Sequence, residues 1–249
     1  MRQSSQIEGR RAVHEALAAG IALDRLYLLE GGKGLGELAG LAKGAGAVVV
    51  FCDRRRLDSM SATGSHQGAI AVAAAHPYAA PEDILGRASE RGEPPFIVVC
   101  DGIEDEGNLG SVIRTAEVAG AHGLVVPKRR SAGLSDVVFK ASAGAAAHLL
   151  VARVPGVPSY LRELKEHGIW VYGTDPEAEK SVYDTDFSGG AAIVIGSEGH
   201  GMSRLAAECC DFTVSIPLYG KISSLNVSAA AAVVLCHAAR SRSLRAASG

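Results

Sequence analysis

Glu198 stands in the run Gly196, Ser197, Glu198, Gly199, His200, Gly201 and Met202, directly after the apolar residues 191–195. Glycines at that spacing permit positive φ or a close backbone approach to a ligand. A plain strand-to-helix turn with Ser203 as N-cap accounts for the glycines but less well for a carboxylate set among them. Upstream, Asn108 and Gly110 precede Arg114, Thr115 and Ala116. Asn108 falls where an N-cap would sit. Arg114, six residues on, need not share its helical face, yet its long side chain reaches a site at the helix's N-terminal end. A guanidinium offers a rigid donor fork for a phosphate or a developing oxyanion, although a surface salt bridge needs no more than the same residue. Downstream, Ile216, Pro217 and Leu218 lead to Ser223, Ser224, Leu225, Asn226, Val227 and Ser228. Ser224, Asn226 and Ser228 alternate with apolar neighbours, so a loop would turn their polar groups to one side. They also lie beside the orphan N–H groups of the helix they open, where a simple cap requires only one serine.

Each run lies where an apolar strand gives way to a loop or helix, and ligands of open α/β sheets collect at those carboxyl ends. Other chemistries lack their signatures. There is no Walker sequence, no Gly-x-Gly-x-x-Gly after a first strand, and no Gly-x-Ser-x-Gly. The eight histidines show no metal spacing. The five cysteines form no CxxC pair and read as buried reduced thiols. No metal site is expected.

The elements that must position these runs follow from periodicity. In residues 7–75, helices at 9–19, 35–45 and 54–60 alternate with strands at 25–29, 47–52 and 68–75, which predicts a small α/β layer fold. Residues 76–95 carry prolines and charges around one helical stretch at 81–91, a linker composition. From residue 96 on, strands at 96–100, 123–126, 149–154, 169–173, 191–195 and 212–216 are near-continuous in Val, Ile and Leu. Helices at 110–119, 135–146, 157–167, 203–209 and 225–240 fit between and after them. That pattern indicates a parallel sheet buried on both faces. The reading gives two domains, 1–75 and 96–249, joined by 76–95.

A chain of 249 residues that is 47% hydrophobic can bury a sizeable core. Net charge is −2, so nucleic-acid binding would need local patches. Candidates are Arg10 with Arg11, the cluster Arg54, Arg55 and Arg56, and the cluster Lys128, Arg129 and Arg130, which follows a strand end on the side of the expected site. Aromatics are only 5%, so base stacking would not dominate. The N-terminus Met1–Gln6 has no apolar signal region, and no apolar run approaches the ~18 residues a membrane span needs. The expectation is a cytoplasmic protein with no membrane contact.

The runs at 108–116, 196–202 and 216–228, in that order, resemble the three motifs of the SpoU (TrmH) family of RNA ribose 2'-O-methyltransferases. The resemblance covers nearly all of the chain. Residues 126–131 and 140–145 are similar to the RlmB-type subgroup, which methylates a guanosine ribose in 23S ribosomal RNA. Residues 7–17 and His66, Gln67 and Gly68 look like pieces of that subgroup's L30e-like substrate-binding domain. The resemblance implies a C-terminal α/β domain with a deep trefoil knot, a homodimer, and S-adenosyl-L-methionine as methyl donor. It implies a cofactor pocket built by Gly173, Thr174, Gly196, Ile216, Leu218 and Leu225. It makes Arg114 either the base or the clamp for the ribose oxyanion and phosphate, and a guanidinium pKa above ~12 favours the clamp. Asn108, Glu198, Ser224 and Asn226 would position Arg114 and the ribose. Within the same family, a tRNA ribose methyltransferase or an antibiotic-resistance rRNA methyltransferase are alternatives. Outside catalysis, a non-catalytic RNA-binding or ribosome-assembly protein is the rival.

Overall fold

A computed structural model describes residues 6–246. Residues 1–5 and 247–249, the outer ends of the two expected domains and most of the N-terminal stretch read for a signal, lie outside the described residues. The chain forms two compact units. One contains the described residues up to Tyr78 together with Gly133–Asp136; the other contains Ala79–Ala132 and the described residues from Val137 onward.

In the first unit the elements are β1 (Gln6–Glu8), α1 (Arg10–Ala18), β2 (Leu23–Leu29), α2 (Gly36–Gly44), β3 (Val48–Cys52), α3 (Arg54–Met60) and β4 (Ala69–Ala73). The sheet order is β1-β4-β2-β3, with β2 and β3 parallel and β4 antiparallel to both β1 and β2. Strand alternation sorts the two faces. Leu26 and Leu28 of β2 join Val13, Leu35, Leu38 and Ala42 on one side, while Tyr27 joins Cys52, Leu57 and Ile70 on the other. Sequence periodicity missed β1, because three residues, two of them polar, are too few to show a period. Its Glu8 ties down the segment before β4 instead. That carboxylate accepts from Ser61 Oγ (2.6 Å), Ala62 N (2.6 Å) and Thr63 Oγ1 (2.5 Å).

The second unit runs α4 (Pro81–Arg91), β5 (Phe96–Asp101), α5 (Glu106–Val118), β6 (Gly123–Pro127), α6 (Asp136–Ala141), β7 (Leu150–Val154), α7 (Val157–Glu166), β8 (Trp170–Thr174), β9 (Ala191–Gly196), α8 (Arg204–Ala207), β10 (Phe212–Val214) and α9 (Val227–Ala246). Six strands form one parallel sheet in the order β10-β8-β9-β5-β6-β7. Phe96, Ile97, Val98, Val99 and Cys100 are all fully buried, as a central parallel strand covered by helices on both faces requires. At about 1.5–3 kcal/mol per fully buried large apolar side chain, these strands supply much of the unit's stability. The helix in the Pro-rich stretch packs here: Ile84 and Ala88 of α4 are fully buried. A Cβ on Gly123 would lie 2.5 Å from Ile84 Cγ1, so glycine in β6 lets α4 approach closely.

Several boundaries differ from the sequence reading. The helix expected at 110–119 begins at Glu106, because the Asp105 side chain caps it by accepting from Asn108 N at 2.7 Å. The helix expected at 135–146 breaks after Ala141, where Ser142 Oγ donates to Phe139 O (2.8 Å) and Ala143 and Gly144 turn left-handed. A short 3₁₀ turn at Ala145–Ala147 follows. The last strand stops at Val214, not residue 216. The helix expected at 203–209 shortens to Arg204–Ala207 behind its N-cap Ser203. The last helix starts at Val227 rather than 225 and continues to Ala246 rather than 240. Its later turns are clamped by Arg242, which donates to Phe187 O, to Gly189 O (2.7 Å) and to Pro94 O, and lies over the Phe96 ring at 5.1 Å.

Candidate active site

The strand order places a site before any side chain is considered. From β5 the chain steps outward to β6 and β7, then returns to β8 on the other side, and β9 fills the place between β5 and β8. The order reverses at the β5/β9 pair, where Asp101 and Gly196 are register partners at the carboxyl ends. Such a switch point is where open α/β sheets bind ligands.

Three side chains meet there. Asn108, in the first turn of α5, donates from Nδ2 to Glu198 Oε2 at 3.1 Å. Asn226, just ahead of α9, donates from Nδ2 to Asn108 Oδ1 at 3.1 Å and to Glu198 Oε1 at 3.5 Å. The amide of Asn226 is oriented by its other end, since Oδ1 accepts from Ser228 N (2.9 Å) and Ser228 Oγ (2.6 Å). The result is a closed ring of two amides and one carboxylate. It ties the start of α5, the turn after β9 and the start of α9, and α5 and α9 pack against each other.

The turn that presents Glu198 is shaped by its glycines. Gly199 and Gly201 have φ of 82° and 64°. Ser197 and Gly201 exchange both backbone hydrogen bonds, at 2.8 and 3.0 Å. A Cβ on Gly196 would lie 2.2 Å from the Gly201 carbonyl carbon, a backbone atom with nowhere to go. Asp101 fixes the far end of the turn by accepting from Ser203 N at 2.7 Å. On the neighbouring strand, a Cβ on Gly173 would lie 2.6 Å from Met202 Cε, and Thr174 Oγ1 donates to Val194 O at 2.9 Å.

The other candidate residues divide by position. Arg114 is exposed on α5, and its side chain makes no hydrogen bond or ion pair with another described residue. Ser224 is exposed and stands outside the amide–carboxylate ring, in which Ser228 orients Asn226. Asn108 is not the N-cap; Asp105 is, and the Asn108 side chain is thereby left for Glu198. Ile216 is half-buried, whereas Leu218 and Leu225 are 36% and 42% exposed. Lys128 follows β6 and donates its N–H to Val154 O at 2.8 Å, with Arg129 and Arg130 exposed beyond it. In the other unit Arg10, Arg11, Arg54, Arg55 and Arg56 are all exposed, and Arg56 lies over the Tyr27 ring at 5.7 Å. Sequence reasoning overlooked Asp101, Asp105 and the orienting role of Ser228. The Asn-x-Ser spacing at 226–228 was the available signal for the last, because Asn side chains bond to the backbone two residues on.

Thiol chemistry has no part in this geometry. Burial pushes the Cys210 thiol up to about 12 and the Cys100 thiol further up, so both stay protonated. Cys52, Cys100 and Cys209 are buried, while Cys210 is half-buried and Cys236 exposed, a correction to reading all five as buried. No group of three or more His, Cys, Asp or Glu side chains among the described residues could hold a metal ion.

Known proteins of the same build match both units. Residues 95–236 match the SpoU rRNA Methylase family, and residues 6–79 match the family of RNA 2'-O ribose methyltransferase substrate-binding domains. The Bacillus subtilis protein YacO, whose name places it in the TrmH family of tRNA/rRNA methyltransferases, is 44% identical over 242 residues, covering 96% of this chain and 97% of its own. The crystal structure of the SpoU methyltransferase AviRb from Streptomyces viridochromogenes, in complex with the cofactor AdoMet, superposes with a TM-score of 0.61 at 27% identity, over 98% of this chain and 91% of that one. A crystal structure of an RNA 2'-O ribose methyltransferase gives a TM-score of 0.55 at 29% identity, over 95% and 88% of the two chains. With a switch-point site built on the three matched runs and a family match over most of its length, the chain belongs to the SpoU rRNA methylase family.

Proposed function

We propose that this protein transfers a methyl group from S-adenosyl-L-methionine to a ribose 2'-hydroxyl of 23S ribosomal RNA, at a guanosine. The observation that carries the reading is the Asn108–Glu198–Asn226 ring at the β5/β9 switch point, in a chain of this family. The residues present suit the donor. Strand-end backbone at Gly173, Thr174 and Gly196 offers hydrogen-bonding groups for an adenine, and Ile216, Leu218 and Leu225 offer apolar cover without a dedicated charge. When bound, that cofactor supplies an electrophilic methyl group.

The chain's own task is the acceptor. A ribose hydroxyl is a weak nucleophile until its developing oxyanion is stabilised. Arg114, exposed and without a protein partner among the described residues, is free to clamp that oxyanion and the adjoining phosphate. The ring of Asn108, Glu198 and Asn226 holds α5, which carries Arg114, at a fixed setting relative to the turn and to α9. Ser224 would contact substrate rather than the ring. Alignment of donor and acceptor supplies much of the acceleration.

The proposal divides the labour as residues 1–75 for RNA selection, 76–95 as connection and 96–249 for catalysis. It includes a trefoil knot at the C-terminal segment and a homodimer. The first rests on the family resemblance of the C-terminal domain. Support for the second comes from Tyr219 and Ile222, 96% and 76% exposed in the segment before α9. A solution mass of one chain would remove the dimer. Among the described residues no helix is long and apolar enough to cross a membrane; the cytoplasm, where ribosomal RNA is processed, is the proposed location.

Donor at 100 times its Kd should stabilise the fold by about 2.7 kcal/mol. An unchanged melting temperature at saturating donor would sink the pocket. Label from the donor should appear on unmodified 23S rRNA transcript as a ribose methyl group. Label on bulk tRNA instead would replace the substrate, and donor-independent RNA binding without transfer would leave a non-catalytic RNA-binding protein.

A further inference from the structure

A second concavity, of about 470 Å³, lies in the first unit and is lined by Arg10, Leu29, Arg54, His66, Gln67 and Gly68. Its floor is an unusual piece of backbone. Gln67 has φ of 49°, in the left-handed region that disfavours side chains, between Gly64 at 72° and Gly68 at 80°. Glycine at Gly68 is explained, because a Cβ there would lie 3.2 Å from Leu29 Cβ. Glycine at position 67 would remove the strain, yet the chain carries a glutamine.

The surroundings hold that strained residue in place. His66, 5% exposed, accepts from Gly68 N at its Nδ1 (3.0 Å). Its Nε2 therefore carries the proton and donates to Asp58 Oδ1 at 2.9 Å. Arg10 donates from Nε to Gln67 O (2.9 Å) and from Nη1 to Lys33 O (2.8 Å), so its guanidinium plane is set in advance. Arg54 is different: its side chain is 77% exposed, and its Nε stands 3.9 Å from Asp58 Oδ2. The Gln67 side chain is exposed, and its amide has no hydrogen-bond partner among the described residues. Strain retained at one residue by hydrogen-bonded supports, the buried His66 among them, marks a site where the side chain has a task.

We propose that this concavity takes one unstacked nucleotide of the substrate RNA, an inference that rests on the methyltransferase reading. The phosphodiester lies between Arg10 and Arg54. The amide of Gln67, which offers two N–H donors and a carbonyl acceptor, reads one edge of the base. Leu29 and the preset Arg10 plane supply the faces against which the base lies, in a chain poor in aromatics. Two cations alone would suit any anion; a neutral amide and an apolar wall between them suit a nucleotide. Sequence-selective RNA recognition targets unstacked bases, so the ligand is single-stranded rather than duplex.

The test uses the full chain with two substitutions. Gln67→Gly removes the amide and relieves the left-handed strain, so its melting temperature should equal or exceed that of the parent. Arg54→Glu reverses a charge on an exposed side chain. The probes are unmodified 23S rRNA transcript, the four single-stranded homopolymeric oligoribonucleotides, and matching duplex RNA. Gln67→Gly should lower kcat/KM on the transcript by roughly tenfold or more and erase the preference among the oligonucleotides. Arg54→Glu should weaken oligonucleotide affinity and lower the slope of log affinity on log salt by roughly 0.7 or more. Neither should alter donor affinity. Folded variants that bind and turn over within about twofold of the parent overturn the proposal, as does parent protein that binds duplex in preference to single strands. If the parent binds donor and RNA yet transfers no methyl group, the methyltransferase reading fails. The oligonucleotide measurements still decide the concavity.

Discussion

The Arg114 side chain stands on α5 with no protein partner among the described residues, whereas several other arginines are engaged. Arg242 reaches three carbonyls, Arg10 two, and Arg56 lies over Tyr27. An exposed guanidinium left unpaired on the helix that also carries Asn108 of the carboxylate–amide ring is suited to an anion that arrives with substrate. Arg114→Ala should therefore abolish methyl transfer, by about 10²–10³ in kcat if it acts as an oxyanion donor. Donor affinity and melting temperature should not move. Arg114→Lys should also be poor, because a point charge replaces a planar fork. Single-turnover kinetics and donor titration check both variants, and near-parent turnover by the lysine form would reduce Arg114 to a generic charge. Asn108 could be picked from the sequence as a polar residue at a helix start. Its commitment to Glu198 could not, because it depends on Asp105 taking the cap.

Among the elements, the turn after β9 leaves no room for a side chain at Gly196. Gly196→Ala would place a Cβ 2.2 Å from the Gly201 carbonyl carbon, so the backbone of residues 196–202 must move. Overpacking of this kind costs about 1–3 kcal/mol, and displacement of Gly196 along with Glu198 should remove donor binding and transfer together. Circular dichroism melts separate lost folding from the lost donor binding that titration reads; a variant that binds donor normally would show that the turn does not shape the pocket. A second hub acts in the first unit. Burial raises the Glu8 carboxyl, but hydrogen bonds from Ser61, Thr63, Ala62 and Gln6 outweigh it and lower the pKa from 4.5 to about 2. A lowered pKa means that this stabilisation is complete above pH 4.5 and disappears as pH falls from 4.5 to about 2. Glu8→Gln should lower the urea midpoint at neutral pH and flatten its decline across that acid window. An unaltered acid limb would assign the decline to other carboxylates.

Taken whole, the chain carries a net charge of −2, so attraction to RNA must be local. Lys128, Arg129 and Arg130 follow β6, which neighbours β5, at the carboxyl edge of the sheet. Reversing all three charges should weaken RNA binding and flatten its salt dependence, by roughly 0.7 to 0.9 in slope for each phosphate the protein no longer neutralises. Donor affinity should hold, because β6 is not one of the strands whose ends meet at the ring. Filter binding across a salt series measures the slope. No change in slope or affinity would confine the RNA surface to the first unit, with Arg10, Arg11 and Arg54–Arg56.

The order of apolar and polar residues by itself determined that strands 96–100 and 191–195 are buried on both faces and that helices alternate with them. Burial follows local composition, and a buried parallel strand must be apolar throughout. The three runs at strand ends were equally plain, because glycine, asparagine and serine mark backbone that leaves regular structure. Tertiary structure alone decided who meets whom. Asn108 and Glu198 are 90 positions apart, and Asn108 and Asn226 are 118 apart. Their meeting follows from β9 entering between β5 and β8, a matter of strand order on which periodicity is silent. The same holds for the second concavity, where Arg10, Arg54 and Gln67 come together only because α1, α3 and the turn before β4 gather around one end of β2. A period reports which side of an element is buried; the identity of the neighbour is settled by the packing of the whole chain.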